Sequence, residues 1–505
     1  MKRGWLATRR WLVPVLAGAL VCVPVTAAPR RDKTLEAQLM AHITELASDA
    51  YEGREPGTEG EAKTLRYLGK QWFDIGLQPG TNNPRHPWFA PVTLVAREPA
   101  GSSAQFVRRG GRRISPLADS YLVLTSGRRS LVEAAPLLFV GKGDGAIPPR
   151  AELAGRVAVL LDGGRDDSER QNALLEAGAS AVLTVLDGER TLEAVAARRQ
   201  RSGYALAEEE IGNDLEGFIT AAGLDRVLTG SGLSVAAMQT DAASPDFSPR
   251  PIDLAVTLEA TTRETRVNTH NLIGKLPGKR PEAGAVLLLA HWDHFGTCAE
   301  APAEDVICNG AVDNASGVAA LTEIARRLAR GPQMDRDVYF LATTAEELGL
   351  LGARAFAENP PLPLGQIVAA FNLDTIAIAP AGSPLAILGR GMTPLDRHIL
   401  AVAKAQRRKL VDPSATEAIN AYVRRQDGWA LLQHDIPAVM VTSAYSDLGR
   451  MERFMDADYH RPTDQVNQAA ERGGIELGGA AEDVLFHVPL VRWFADLKRV
   501  PAVAR

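Results

Sequence analysis

Ala290-His291-Trp292-Asp293-His294-Phe295-Gly296, followed by Asn309-Gly310-Ala311-Val312-Asp313-Asn314-Ala315-Ser316-Gly317, is the stretch on which the reading of this chain turns. Residues 286–290 just before it form a continuous apolar run, the pattern of a strand buried on both faces of an α/β sheet. His291 and Asp293 are therefore expected at that strand's carboxyl end, where ligand sites of such sheets form. Asp313 stands just ahead of residues 316–330, in which Val318, Leu321, Ile324, Ala325 and Leu328 trace one helical face.

The same grammar recurs downstream. Residues 338–342 read as a strand ending at Thr343-Thr344-Ala345-Glu346-Glu347, and residues 367–373 as a strand ending at Asp374. Residues 436–441 read as a further strand, and Val484, Leu485, Val488, Val491, Phe494 and Leu497 mark a closing amphipathic helix. Between these two lies Asp458-Tyr459-His460-Arg461-Pro462-Thr463-Asp464. Two imidazoles and several carboxylates thus arrive at strand ends and loops, an order that suits a hydrolase holding two metal ions.

Upstream, residues 35–76 read as two helices around the polar turn Asp49-Ala-Tyr-Glu-Gly-Arg-Glu-Pro-Gly-Thr-Glu-Gly60, with Leu65, Leu68, Trp72 and Phe73 as core positions. Residues 80–95 look extended. From 97 to 250 the texture changes. Strands are expected at 121–124, 137–140, 157–161 and 181–186 and a helix at 169–177, with no clustered His, Cys or paired carboxylates, so this inserted unit receives no chemistry. Asp166-Asp167 reads as a solvated turn and residues 241–251, rich in Pro and Ser, as the return linker. Residues 252–260 alternate as a strand.

At the amino end, Lys2, Arg3, Arg9 and Arg10 precede an apolar run at 11–25 that closes on Thr26-Ala27-Ala28, which is the layout of a signal peptide. Fifteen residues broken by Pro14 and Pro24 fall short of the ~20 that a spanning helix needs. Thr8-Arg9-Arg10 leaves the export pathway open, and Leu20-Val21 ahead of Cys22 is unsuited to lipidation. Loss of residues 1–28 takes the formal charge from −5 to about −9. With no basic run carrying aromatics, nucleic acid is excluded as a partner. Cys298 and Cys308, ten positions apart in an exported chain, are expected to form a disulfide.

The order His-x-Asp, Asp-Asn-x-Ser-Gly, Glu-Glu, Asn-Leu-Asp and Tyr-His resembles the co-catalytic di-zinc exopeptidase family that includes bacterial leucyl aminopeptidases and glutamate carboxypeptidases. The resemblance spans 35–92 and about 252–495, while 97–250 looks like the protease-associated domain that many of these enzymes insert. It implies a three-layer α/β/α fold with a mostly parallel mixed central sheet, divided as signal peptide 1–28, helical part 29–96, insert 97–250 and catalytic part 251–505. It further implies that Asp313 bridges two zinc ions, His291 and Asp374 complete one, Glu347 and His460 complete the other, and Glu346 is the general base. Asp293 joins the catalytic residues as acceptor for the ring N–H of His291. His294 is read as packed or hydrogen-bonded rather than ligating, and Asp464 either as a supporting acceptor or as a cap. Cobalt or manganese would also suit such ligands.

One departure stands at Arg424-Arg425-Gln426-Asp427-Gly428-Trp429, where relatives often show Ser-Asp-His and Gly428 replaces the His. Trp429, Phe454 and Met455 are candidate pocket walls or ordinary packing. The expectation is an exported, periplasmic or extracellular, exopeptidase acting on peptides without a membrane anchor after cleavage, an aminopeptidase first. A carboxypeptidase, a glutaminyl-cyclase-like enzyme and a non-catalytic receptor-like relative are the alternatives. Oligomeric state is left open by the sequence.

Overall fold

The computed structural model describes residues 31–502 apart from 109–110, 144, 164–167, 187, 189, 210–211, 213, 300–301 and 468–474. The leader read over residues 1–28, with Arg9-Arg10 and Cys22, and the Asp166-Asp167 turn lie outside the described residues.

Two helices open the described chain. α1 (Lys33–Leu46) is capped by the Asp32 side chain, which accepts from the Leu35 N–H. α2 (Glu59–Ile75) starts on Thr58, which accepts from Glu61, and stops on Gly76 in the left-handed region, the usual chemistry of a helix start and stop. Leu65, Leu68 and Trp72 are buried, and the Trp72 indole donates to Thr322 Oγ1 at 3.1 Å. Phe73, expected in the core, is 70% exposed. One residue beyond Trp72 is roughly 100° around the helix, which carries Phe73 past the edge of the buried face.

β1 (Phe89–Arg108) leads into a unit with β2 (Tyr121–Thr125), β3 (Arg129–Lys142), β4 (Val157–Leu161), α3 (Ser168–Glu176), β5 (Ala181–Leu186), α4 (Leu192–Ser202), β6 (Tyr204–Leu206), β7 (Leu215–Thr220), α5 (Ala221–Leu228) and α6 (Val235–Ala242). β3, β4, β5 and β7 run parallel. Val157 and Val159 face one core with Phe106 and Ile219, while Ala158 and Leu160 face another with Leu153 and Leu174. Strands covered on both faces read as the unbroken apolar runs seen in the sequence.

β8 (Arg250–Leu276) is far longer than the expected strand at 252–260 and takes in the last two residues of the expected linker. It pairs antiparallel with β1 from Leu254 opposite Arg108 to Leu272 opposite Phe89, while its first half also pairs with β3. Its last residues pair antiparallel with β10 (Asp337–Thr343), after β9 (Ala285–His291) and α7 (Ser316–Ala329) have intervened. One strand therefore belongs to both halves of a continuous sheet. Then come α8 (Leu351–Glu358), β11 (Ile367–Asn372), β12 (Ala386–Leu388), α9 (Asp427–Leu432), β13 (Ala438–Thr442) and α10 (Leu477–Ala495), and the strand order is β12-β13-β11-β9-β10-β8-β3-β4-β5-β7-β2.

This is a mixed α/β sheet flanked by helices. β9 lies parallel between β10 and β11, and β11 parallel to β13. Val286, Leu288, Phe340 and Phe371 face α1, α2, α7 and α10, whereas Leu287, Leu289, Leu341 and Ala370 face Phe356 of α8 and Leu431 of α9. α10 ends at Ala495, short of Leu497, where Arg336 Nη1 donates to the Phe494 carbonyl at 2.7 Å. Leu485 points to solvent. Among the described residues no helix is long and apolar enough to cross a membrane.

Candidate metal centre

Because β9, β10 and β11 are parallel neighbours, their carboxyl ends lie side by side. His291 closes β9, Glu346 and Glu347 follow β10, and Asp374 follows β11. Asp313 lies in the turn that leads into α7. His460 sits in a turn after the helix Leu448–Ala457, with φ 59°, its ring stacked on Tyr459 at 3.6 Å and edged by Phe295 at 4.5 Å.

All six residues meet in one cavity. His291 Nε2 lies 3.3 Å from Asp313 Oδ1, 3.5 Å from Asp374 Oδ1 and 4.0 Å from Glu346 Oε2. His460 Nε2 lies 2.9 Å from Glu347 Oε2 and 3.5 Å from Asp313 Oδ2. Asp313 thus turns one oxygen towards each imidazole. Ligand atoms about 2.0–2.2 Å from a tetrahedral ion stand roughly 3.3–3.6 Å apart, and the 3.3 and 3.5 Å separations match that spacing.

His294 enters the same cavity. Its Nδ1 is hydrogen-bonded to the Cys308 carbonyl at 3.1 Å, as a packed imidazole would be. Its Nε2, however, faces Glu347 Oε1 at 3.4 Å and Asp313 Oδ2 at 3.8 Å. Among the described residues, His294 Nε2, Asp313 Oδ2, Glu347 Oε1 and His460 Nε2 are buried without a hydrogen-bond partner. Buried polar atoms are normally satisfied, and imidazole nitrogens facing carboxylate oxygens form a donor set that a divalent cation completes. The groupings His291–Asp313–Asp374, His291–Glu346–Glu347 and His294–Asp313–Glu347 each bring their ligand atoms within 4.8 Å.

The charges agree. Burial pushes the Glu346 carboxyl well above its usual range against the pull of His291, and Glu347, Asp374 and Asp427 push it further. Glu347 rises to about 8 through burial and then Asp313. Burial by itself would lower His291 and His460. Glu346, Asp293, Asp313 and Asp374 outweigh it for His291, which is raised well above its usual value, and Glu347 and Asp313 for His460, which reaches about 9. Burial lowers His294 to about 3, so its ring is neutral and keeps a lone pair. Protons here stand where cations fit better.

Supporting groups hold this arrangement. Asp293 flanks the His291 ring with both of its oxygen groups, its backbone carbonyl at 3.3 Å and its Oδ1 at 3.7 Å from Nδ1. The carboxylate also accepts the backbone N–H groups of Glu346 and Glu347. Asp464, fully buried, accepts from the Val312 N–H at 2.9 Å and the Asp313 N–H at 3.0 Å, so it supports the Asp313 turn rather than capping a helix. Asp427, in the stretch that departs from the family pattern, is buried against the Thr343 hydroxyl and is raised to about 7 by burial. Phe454 belongs to a packing cluster with Met440 and Met451, and Met455 and Trp429 pack against that cluster. Cys298 and Cys308 form a disulfide across the paired strands Gly296–Thr297 and Ile307–Cys308, in which Gly296 stands opposite Cys308.

Residues 271–478 match the family model "Peptidase family M28". The alkaline phosphatase isozyme conversion protein of Escherichia coli (strain K12) is 32% identical over 102 residues, 18% of this chain and 29% of that protein. Aminopeptidase YwaD of Bacillus subtilis (strain 168) is 33% identical over 121 residues, 24% of each. The matched segments therefore span less than a third of these curated relatives. In fold, the chain is similar to the aminopeptidase from Aneurinibacillus sp. strain AM-1, at 18% identity and a TM-score of 0.55, over 91% of this chain and 93% of that one.

Proposed function

We propose that this chain, whose residues 271–478 form a Peptidase family M28 domain, is an exported metal-dependent exopeptidase that removes amino-terminal residues from peptides. The observation that carries the reading is the Asp313 carboxylate, which presents Oδ1 to His291 at 3.3 Å and Oδ2 to His460 at 3.5 Å. His291, Asp313 and Asp374 would hold one divalent ion, zinc by preference, and Asp313, Glu347 and His460 another. Such ions, when bound, supply Lewis acidity to a peptide carbonyl and acidify water.

Glu346 is the general base of this scheme. With cations in place of the protons, its buried carboxylate would take a proton from the attacking water as the oxygen adds to the scissile carbonyl carbon, then give it to the leaving amine as the C–N bond breaks. Asp293 fixes Glu346 and Glu347 through their backbone, and Asp464 fixes Asp313. Export is supported by the leader sequence and by the disulfide. Residues 97–250 are taken as an inserted protease-associated-like unit, pinned beside the centre by Leu206 against Ala345 and by Arg354 against Glu209 at 2.6 Å.

Amine rather than carboxylate recognition is favoured by where the nearby arginines go. A carboxypeptidase needs a free Arg fork for the substrate's terminal carboxylate. Arg424 lies over the Trp429 ring and Arg425 over Tyr422, while Arg461 donates to the Ala457 carbonyl. The test is one peptide in free, N-acetylated and C-amidated forms, with metal content measured in parallel. Cleavage of the free and amidated forms alone supports an aminopeptidase. Equal cleavage of the acetylated form with the amidated form spared overturns it, and a metal-free active enzyme overturns the whole scheme.

A further inference from the structure

The turn between α1 and α2 carries a run of three left-handed residues, Glu52 at φ 51°, Gly53 at 64° and Arg54 at 54°. Non-glycine residues avoid this region unless their surroundings impose it. The surroundings are the disulfide hairpin: a Cβ on Gly53 would fall 2.6 Å from the Cys308 carbonyl oxygen and 2.7 Å from the Gly296 Cα. The turn is pressed into the loop that separates His291 from Asp313.

Arg54 is 0% exposed. Its Nε donates to the Trp292 carbonyl at 2.8 Å, Nη1 to Leu46 at 2.9 Å and also to Asn309, and Nη2 to Gly310 at 2.9 Å. Its own carbonyl accepts the His294 N–H at 3.3 Å. All four acceptors of the guanidinium are backbone carbonyls, and among the described residues no carboxylate pairs with it. Trp292 lies between His291 and Asp293, and Asn309 and Gly310 lead into the Asp313 turn. One planar group therefore ties together the segment leaving β9, the segment entering α7 and the carboxyl end of α1. Its positive charge is left to act on Asp464, Asp313, Asp293 and Glu347.

We propose that Arg54 is a positioning residue of the metal centre: its buried guanidinium sets the spacing between the His291 and Asp313 segments through four carbonyls, and makes the amino-terminal turn part of the site. This rests on the metal-centre reading above. Lys cannot replace it, because a point ammonium with three donors does not reproduce a fork that reaches three chain segments at once.

The experiment uses the full chain and zinc. Wild-type metal content is read first; protein that binds no metal sinks the functional reading, not this one. The zinc dissociation constants of wild type, R54K and R54M are then measured by chelator competition, with kcat, KM and the melting point of the chelated protein. The expected result is weakening by at least tenfold in both variants and a fall in kcat at nearly unchanged KM. R54K is expected to fall short of wild type although it keeps the charge. Zinc affinity within twofold of wild type in either variant overturns the proposal, even if the melting point drops. Should neither variant fold, hydrogen exchange of wild type decides. Zinc should slow exchange at residues 46–54 together with 292–294 and 309–313, and an unchanged 46–54 segment overturns the coupling.

Discussion

The Asp293 carboxylate accepts the backbone N–H of Glu346 at 3.2 Å, and its second oxygen accepts that of Glu347 at 3.4 Å. Adjacent residues of a strand point to opposite faces, so two neighbouring glutamates could not serve one cavity from within β10. Ala345 at φ 52° breaks the extended run, and Asp293 seizes the two N–H groups exposed by the break. Glu346 then faces His291 and Glu347 faces His460.

Asp293→Asn tests that clamp. The amide keeps one acceptor and turns a donor towards the other N–H, leaving it unsatisfied at a cost of about 1–3 kcal/mol. Turnover is expected to fall roughly tenfold to a hundredfold with the fold intact by circular dichroism. Wild-type kcat in this variant would remove the clamp from the mechanism.

Glu346→Gln and Glu347→Gln should separate the two glutamates. The first is expected to retain metal while kcat falls by about 10² to 10⁴, the range for a positioned general base. The second is expected to lose metal as well, because Glu347 Oε2 stands 2.9 Å from His460 Nε2 with its other oxygen unpartnered. Metal analysis beside single-turnover kinetics reads both, and the assignment fails if the two variants behave alike.

The chelated protein should lose stability as pH rises. Glu347, raised from 4.5 to about 8, Asp464 and Asp427, raised from 3.8 to about 7, and His460, raised from 6.5 to about 9, all bind protons more tightly folded than unfolded. Between about pH 4 and 9 the folded state therefore holds the extra protons, and stability falls across that window. Asp313, held below its usual range, acts in the opposite sense at lower pH, and His294 and His487, lowered from 6.5 to about 3 and about 4, oppose the trend up to about pH 6.5 but are outnumbered by the raised groups. Melting points in chelator from pH 5 to 9 should decline, and added zinc should release protons and reverse the trend. A rising curve in chelator would contradict this.

Mass mapping without reductant should recover Cys298 joined to Cys308. Closing so short a loop contributes no more than ~3 kcal/mol, so the paired Cys→Ser variant is expected to fold while proteolysis at residues 297–308 quickens. Two alkylatable thiols in exported protein would refute the pairing.

The α/β sheet was legible because its strands are unbroken apolar runs: residues 157–161 and 181–186 match β4 and β5 residue for residue. His291, Glu347 and Asp374 were legible in position because each stands at the end of such a run. Phe73 and Leu485 were misjudged because periodicity gives a face and not its edge. The length of β8 was hidden as well, since a strand half exposed along its middle shows no continuous apolar signal.

What the sequence alone determined is that His291, Glu346, Glu347 and Asp374 follow apolar strands, because residue type and position at a strand end are local properties of the chain. What only the tertiary structure decided is how those residues are held. Arg54 reaches Asn309 and Gly310, Asp464 reaches Val312 and Asp313, and Asp293 reaches Glu346 across gaps in sequence that no local pattern spans. Each of these contacts ends on a backbone N–H or C=O. Every residue but proline offers both groups, so a sequence cannot mark which of them a distant side chain will hold.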